Sequence, residues 1–317
     1  MSKVVKYMKG LCICNVCLLL CVLMGCSGQR PIRQFKNEDR IKIVTTIYPL
    51  QNFASEIGGE QVEIINLVPA GMEPHDFELS TADMQLLEEA DVFIYNGAGM
   101  EHFVDKTLAA VTNKDLVVVE AAKDIKLLEA KHSHDEDTHE SDEETYDPHT
   151  WLSIENAVME AEAIKEALCM IDTNHADDYE KNYTTYKERL DALDETYREE
   201  LAKVSSKTIV VAHEAFGYLC QEYGLSQVAV EGLSADSEPD TARMKEIIDF
   251  CRENKIKVIF FEELVSPKVA NMIAQEVGAE TDLLNPIEGI TAEQESQSLD
   301  YIGLMEQNLE ALKRALK

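Results

Sequence analysis

"HADDYEKNYTTYKERLDALDETYREELAKV" (residues 175–204) is the stretch that decides the fold. Tyrosine and apolar residues recur in it at helical spacing among many charges. A helix of about thirty residues spans roughly 45 Å, longer than most helices inside one domain. A second helical stretch, "SIENAVMEAEAIKEALCMI" (153–171), precedes it, with a break predicted near Asp172-Thr173-Asn174. On both sides of this pair the chain changes character. The long helix therefore reads as a backbone connecting two lobes.

Before it, "IKIVTTI" (41–47), "VEIINLV" (62–68), "DVFIYN" (91–96) and "DLVVVE" (115–120) are short, β-branched and apolar, as buried strands are. Helix-like stretches separate them. In "PLQNFASEIG" Pro49 stands at a helix start, and in "STADMQLLEEA" Ser80 or Thr81 is the cap, with Asp83 in the first turn. After it, "KTIVVAH" (207–213), "QVAVEGL" (227–233), "KIKVIFFEE" (255–263) and "ETDLLNP" (280–286) are the next strands. "TARMKEIIDFCREN" and "SPKVANMIAQEVG" are the intervening helices, the latter closed by Gly278, and "LDYIGLMEQNLEALKRALK" is a terminal helix. Strand–helix alternation implies parallel βαβ units with right-handed crossovers. The expected fold is α/β: two Rossmann-like lobes, each a small parallel sheet with flanking helices, joined by one long helix. The expected division is 41–172 for the first lobe, 173–206 for the link and 207–317 for the second lobe.

The chain has 317 residues, enough for two domains, and 45% of them are hydrophobic, enough for real cores. Its formal net charge of −31 repels nucleic acid and gathers cations, or simply keeps the protein soluble. Residues 1–25 read as an export signal: Lys3, Lys6 and Lys9 precede the apolar run "LCICNVCLLLCVLM", which at 14 residues is short of the ~20 a spanning helix needs. The end of this segment, Leu23-Met24-Gly25-Cys26, resembles a bacterial lipobox, which implies cleavage before Cys26 and a lipid on its sulfur. Residues 26–40 follow as a polar tether, with the body starting at 41. Beyond the lipid site only Cys169, Cys220 and Cys251 remain. A Cys220–Cys251 bridge is open on sequence, although three thiols are the expectation. No CxxC pair occurs in the body, which argues against thiolate zinc.

In open α/β sheets ligands bind beyond the carboxyl ends of strands. Four candidate metal ligands fall at such ends or in loops. His75 lies in "VPAGMEPHDFELSTAD", His149 in "YDPHTWLSI", His213 at the end of "TIVVAH" and Glu288 in "LLNPIEGI". Three imidazoles and a carboxylate form a donor set that suits tetrahedral Zn2+. Pro74 and Pro148 stiffen the backbone before two of the histidines. Asp147, Asp76 and Glu78 are candidate acceptors for the imidazoles' second N–H. His102 competes as a ligand from a loop after the third strand but is expected at the surface or the lobe interface. His175, at the start of the long helix, is expected to be exposed.

"GMEPHDFELSTAD", "DPHTWLS", "AHEAFGYL" and "LLNPIE", in this order, resemble the zinc-receptor proteins of ATP-driven metal importers, a metal-specific branch of the solute-binding proteins. The resemblance runs from about residue 41 to the C-terminus. It implies His75, His149 and His213 as ligands, with Glu288 or water as the fourth. Manganese-type relatives carry a carboxylate where His213 stands, so the histidine points to zinc. The resemblance further implies an extracytoplasmic, lipid-anchored monomer on the outer face of the bacterial cytoplasmic membrane, or a periplasmic one. Its partners would be the permease and ATPase of an ABC importer. Some relatives carry Glu immediately before the first histidine, whereas Pro74 stands here.

Three alternatives stay open on sequence: a receptor for manganese or another divalent metal, an adhesin-like surface lipoprotein and, least favoured, a zinc-dependent hydrolase. "HEAFG" (213–217) begins like the HExxH of zinc proteases, but Gly217 replaces the second histidine and leaves Glu214 without a metal partner. Four protein donors would also close the shell that catalysis keeps open. The stretch "KHSHDEDTHESDEETYDPHTW" (131–151) divides in two. Its acidic part (131–146) lacks apolar period, and its His132, His134 and His139 are expected to hold zinc weakly beside the cleft. Only His149 of this stretch belongs to the expected tight site.

Overall fold

The computed structural model describes residues 33–130, 146–233 and 239–317. The export signal, Cys26, and the acidic segment with His132, His134 and His139 lie outside the described residues. Residues Gln34–Lys317 form one compact unit. Its first half runs β1 (Ile41–Thr45), α1 (Tyr48–Gly58), β2 (Val62–Asn66), α2 (Thr81–Glu89), β3 (Val92–Tyr95), α3 (Val104–Ala110) and β4 (Val117–Glu120). Helices α4 (Ile154–Ile171) and α5 (Ala176–Leu201) follow. The second half runs β5 (Thr208–Val211), α6 (Gly217–Tyr223), β6 (Ser226–Ala229), α7 (Thr241–Asn254), β7 (Val258–Phe261), α8 (Lys268–Val277), β8 (Glu280–Leu283), α9 (Ala292–Ser296) and α10 (Tyr301–Ala315). All strand pairs are parallel, in the orders β2-β1-β3-β4 and β6-β5-β7-β8.

The eight strands fall on the eight expected runs and are shorter than them, with β6 starting one residue earlier at Ser226. In "IKIVTTI" the ladder stops at Thr45, and Thr46 and Ile47 stay buried while the chain turns into α1. Local chemistry sets the helix ends. Ser80 and Asp83 form a reciprocal capping box on α2, Pro49 occupies the first turn of α1, and Gly278 closes α8 at φ 73°. Helices α3, α6 and α9 were not anticipated, because stretches of seven residues or fewer show no legible period.

The break between α4 and α5 falls at Asp172–His175. There the Asp172 carboxylate accepts from the Tyr179 hydroxyl at 2.8 Å and meets His175 Nδ1 at 2.6 Å. Helix α5 has 26 residues, about 39 Å at 1.5 Å per residue. It buries Tyr179, Tyr183, Tyr186, Leu190, Leu193, Tyr197 and Leu201, and packs on α4, α1 and α10. Its tyrosine hydroxyls find partners: Tyr186 donates to Asn52 and Tyr197 to the Met305 carbonyl.

The long helix is not the only tie between the halves. One hydrophobic cluster contains Ile43 and Val92 of the first sheet and Ile209, Val211 and Phe260 of the second. Trp151, fully buried, donates its indole N–H to the Pro286 carbonyl and accepts at its own carbonyl from Tyr301. The packed body also begins earlier than residue 41. Phe35 is buried among Val44, Leu67 and Phe93, and the Glu63 carboxylate accepts from the backbone N–H groups of Lys36 and Asn37. The three cysteines of the body are free thiols, which answers the open question of a Cys220–Cys251 bridge.

Candidate metal centre

The loops beyond the carboxyl ends of β2, β5, β7 and β8 converge on one place in the fold. His75 sits in a 3-10 turn, Pro74–Asp76, and the Glu73 side chain caps that turn by accepting from the His75 N–H. His149 heads a second 3-10 turn, Thr150–Leu152, that leads into α4. His213 follows β5, and Glu288 follows β8 in a loop held by a satisfied buried network. In it Asn285 Oδ1 accepts from the Ile287 N–H at 2.7 Å, and Asn285 and Asn308 exchange two further bonds. Glu263 accepts from Asn285 and Gln294. These contacts hold Ile287 at φ 60°, a conformation strained for a β-branched residue, and so aim Glu288 inward.

One atom from each of His75, His149, His213 and Glu288 lies within 4.8 Å of all the others. Glu288 Oε1 is 2.9 Å from His149 Nε2, 3.2 Å from His213 Nε2 and 3.8 Å from His75 Nε2. The Nε2 atoms of His149 and His213 are 3.3 Å apart. His149 and His213 are fully buried and Glu288 is 1% exposed. Both ring nitrogens of His75 are buried with no hydrogen-bond partner. Buried orphan nitrogens are costly unless something else binds them. An N3O set with such orphans fits a tetrahedral cation.

Outer carboxylates orient the rings. Asp147 Oδ1 lies 2.8 Å from His149 Nδ1 and also accepts from the His149 backbone N–H. Glu262 Oε1 lies 2.6 Å from His213 Nδ1. With Nδ1–H engaged, Nε2 of each ring points at the shared centre. Burial opposes charge on both rings, yet the bonds to Asp147 and Glu288 outweigh it and raise His149 to about 9. Glu262 and Glu288 likewise hold His213 well above the usual imidazole range. Burial dominates at His75 and lowers it to about 4. Glu288 is buried too, but bonds from His149 and His213 keep it ionised. Glu73, beside it, is raised to about 9 by burial and by the Glu288 charge.

The structure thus brings the four sequence candidates together and leaves others outside. Of the three carboxylates expected to orient the imidazoles, Asp147 does so, whereas Asp76 and Glu78 are exposed. His102 is exposed and not among the four converging residues, although its charge acts on His75, and His175 sits at the N-cap position of α5, likewise outside the cluster. Sequence reading missed Glu262 and Glu73. Glu262 was findable, because β7 lies beside β5 in the sheet and "KIKVIFFEE" ends its strand in carboxylates where "TIVVAH" ends in histidine. Gly217 has its own reason. A side chain there would collide with Asp147 Oδ2, so the second histidine of an HExxH motif has no room.

The zinc-binding lipoprotein AdcA of Streptococcus pneumoniae is 37% identical over 311 residues, which is 96% of this chain; the chain spans 60% of that relative's length. The Zn(II)-bound crystal structure of its ZnuA-like domain superposes with a TM-score of 0.75 at 37% identity, covering 87% of this chain and 99% of that one. The high-affinity zinc uptake system protein ZnuA of Bacillus subtilis is 37% identical over 318 residues, 98% of each chain. The laminin-binding protein Lmb of Streptococcus agalactiae, described as a bifunctional protein with adhesin and metal transporting activity, superposes with a TM-score of 0.77 at 32% identity, covering 88% of this chain and all of that one. The family model for the periplasmic component A of zinc-uptake complexes matches residues 43–315, and the chain belongs to that family.

Proposed function

We propose that this protein is the extracytoplasmic receptor of a zinc importer. It captures Zn2+ between its two sheets and delivers it to the permease and ATPase of an ABC transporter. The observation that carries this reading is the convergence of His75, His149, His213 and Glu288 on one buried point. Four protein donors favour holding the ion over activating a water on it, so a receptor fits better than a hydrolase. Three imidazoles favour zinc over manganese, which prefers oxygen donors. AdcA and ZnuA are named for zinc binding and zinc uptake, in agreement.

Cys26 would carry the lipid that tethers a monomer to the outer face of the cytoplasmic membrane, and the relatives named lipoproteins support this. No helix of the described residues is long and apolar enough to cross a membrane. The proposed division is a first lobe of residues 41–172, against which the segment around Phe35 packs, a link of 173–206 and a second lobe of 207–317.

Calorimetric zinc titration combined with a zinc-edge anomalous map tests the assignment. One tight site per chain with density at these four residues is expected, and His213→Ala should abolish it while circular dichroism stays unchanged. Absence of stoichiometric binding, or an unchanged isotherm for His213→Ala, would overturn the assignment.

A further inference from the structure

Helix α4 carries a carboxyl group deep in the first half that the metal centre does not use directly. Glu160 is fully buried, and its Oε2 has no partner. Its Oε1 lies 2.7 Å from Thr150 Oγ1, which in turn lies 3.2 Å from Asn96 Oδ1. The orientation of Asn96 is fixed independently, because its Nδ2 donates to the Pro148 carbonyl at 2.8 Å and to the Gly97 carbonyl at 3.1 Å. Carbonyls only accept, so Asn96 must present Oδ1 to Thr150. The Thr150 hydroxyl owns one hydrogen yet stands between two acceptor oxygens if Glu160 is ionised. Both contacts become hydrogen bonds only when the Glu160 carboxyl carries a proton and donates it to Thr150.

We infer that Glu160 acts as a neutral carboxylic acid that positions His149. The chain of bonds then runs one way, from Glu160 to Thr150 to Asn96 and from Asn96 to Pro148. Two of its members, Pro148 and Thr150, flank His149 in sequence, so the network clamps the ligand-bearing turn from both sides. Burial pushes Glu160 up to about 8, and the charge of Glu101 adds to the effect. Glu101 holds its own place by accepting from Thr46, Asn96 N–H and Gly97 N–H. The Tyr218 and Tyr301 hydroxyls, which also feel Glu160, are raised out of the titrating range mainly by burial.

The inference rests on the zinc-receptor reading, and the test separates the two. Glu160→Gln keeps a donor to Thr150, whereas Glu160→Ala and Thr150→Val break the chain. Chelator competition should show wild-type zinc affinity in Glu160→Gln and a loss of roughly tenfold or more in the other two, the scale of outer-shell changes. The visible spectrum of the Co2+-loaded protein should be unchanged in Glu160→Gln and altered in Thr150→Val, which conserves side-chain shape. The infrared carbonyl band of a protonated acid should be present in wild type and diminished in Glu160→Gln. An unchanged band, an unchanged Co2+ spectrum in Thr150→Val, or Glu160→Gln behaving like Glu160→Ala overturns the inference. Wild type that binds neither metal would instead overturn the receptor reading, and the infrared comparison would still decide the proton.

Discussion

Glu262 Oε1 sits 2.6 Å from His213 Nδ1, on the far side of the imidazole from Glu288. The carboxylate fixes the ring's tautomer and raises its basicity as a donor to metal. Glu262→Ala should weaken zinc binding by roughly 10–100-fold, and Glu262→Gln, which keeps an accepting oxygen, should lose less. A chelator-competition titration with circular dichroism as the folding control measures both. Equal affinity in wild type and Glu262→Ala would remove Glu262 from the site.

The same carboxylates set the pH response. Sequence reasoning from free imidazoles expects zinc affinity to fall as pH drops through roughly 6. In the folded site His149 is raised to about 9 and His213 is raised well above its ordinary range. Zinc needs a bare Nε2 on each ring, so below about 9 it competes with protons for those nitrogens. Affinity should therefore keep rising from neutral pH toward 9, with proton release on binding. Calorimetry at neutral pH in buffers of different ionisation enthalpy reads the release, and a buffer-independent enthalpy would contradict it. In the metal-free protein the sign is opposite. A raised His149 stabilises the fold fully below the unfolded imidazole value of about 6.5, and that contribution is lost as pH rises through about 9.

The apolar runs located the central strands β1, β3, β5 and β7 because a buried parallel strand needs a nearly continuous apolar segment, whereas the edge strands β6 and β8 are only partly buried and carry polar residues. The candidate ligands were legible for a related reason: strand ends in such sheets are where ligands gather, and His213 follows its strand directly. Glu262 was not recognised because a carboxylate at a strand end looks like a solvated terminus until its neighbour is known. Glu73 and Glu160 were beyond reach. The first owes its place to a 3-10 turn of three residues, and the second is a lone carboxylate on the buried face of α4 beside Ala157, Ala161 and Ile164, which sequence alone does not mark as part of a site. The described end of the expected tether makes contacts that sequence does not announce. Residues 27–39 are mostly polar and show no apolar period, yet the buried Phe35 ring and the Glu63 carboxylate hold residues 35–37 against the body.

Gly217 offers a test of close packing against the metal centre. A Cβ at this position meets Asp147 Oδ2, and Asp147 is already committed to the His149 ring and backbone. Gly217→Ala should push Asp147 off His149 and lower zinc affinity, with a smaller effect than removing His149 itself. Gly217→His, which restores the HExxH pattern, should lose affinity and gain no peptidase activity. Zinc binding by Gly217→Ala equal to wild type would show that Asp147 adapts without cost.

Bonds across the cleft bear on how far it can open. Tyr48 N–H donates to the Glu288 carbonyl at 3.1 Å, Gly71 N–H to the Ile290 carbonyl at 2.8 Å, and Trp151 Nε1 to the Pro286 carbonyl at 2.8 Å. Together with α5 and the shared core they tie the loop bearing Glu288 to the first half of the chain. A wide hinge motion would break all three and expose the buried Trp151 indole, so zinc capture should proceed by small adjustments of the ligand loops. Small-angle scattering should show no compaction on zinc addition beyond experimental error. Trp151 is the only tryptophan, and its ring lies 5.5 Å from that of His149. Its emission should change in intensity as the metal displaces the His149 proton into solvent, while its wavelength stays that of a buried indole. A red-shifted metal-free spectrum, or a large fall in radius of gyration with zinc, would show that the halves open further than these bonds permit.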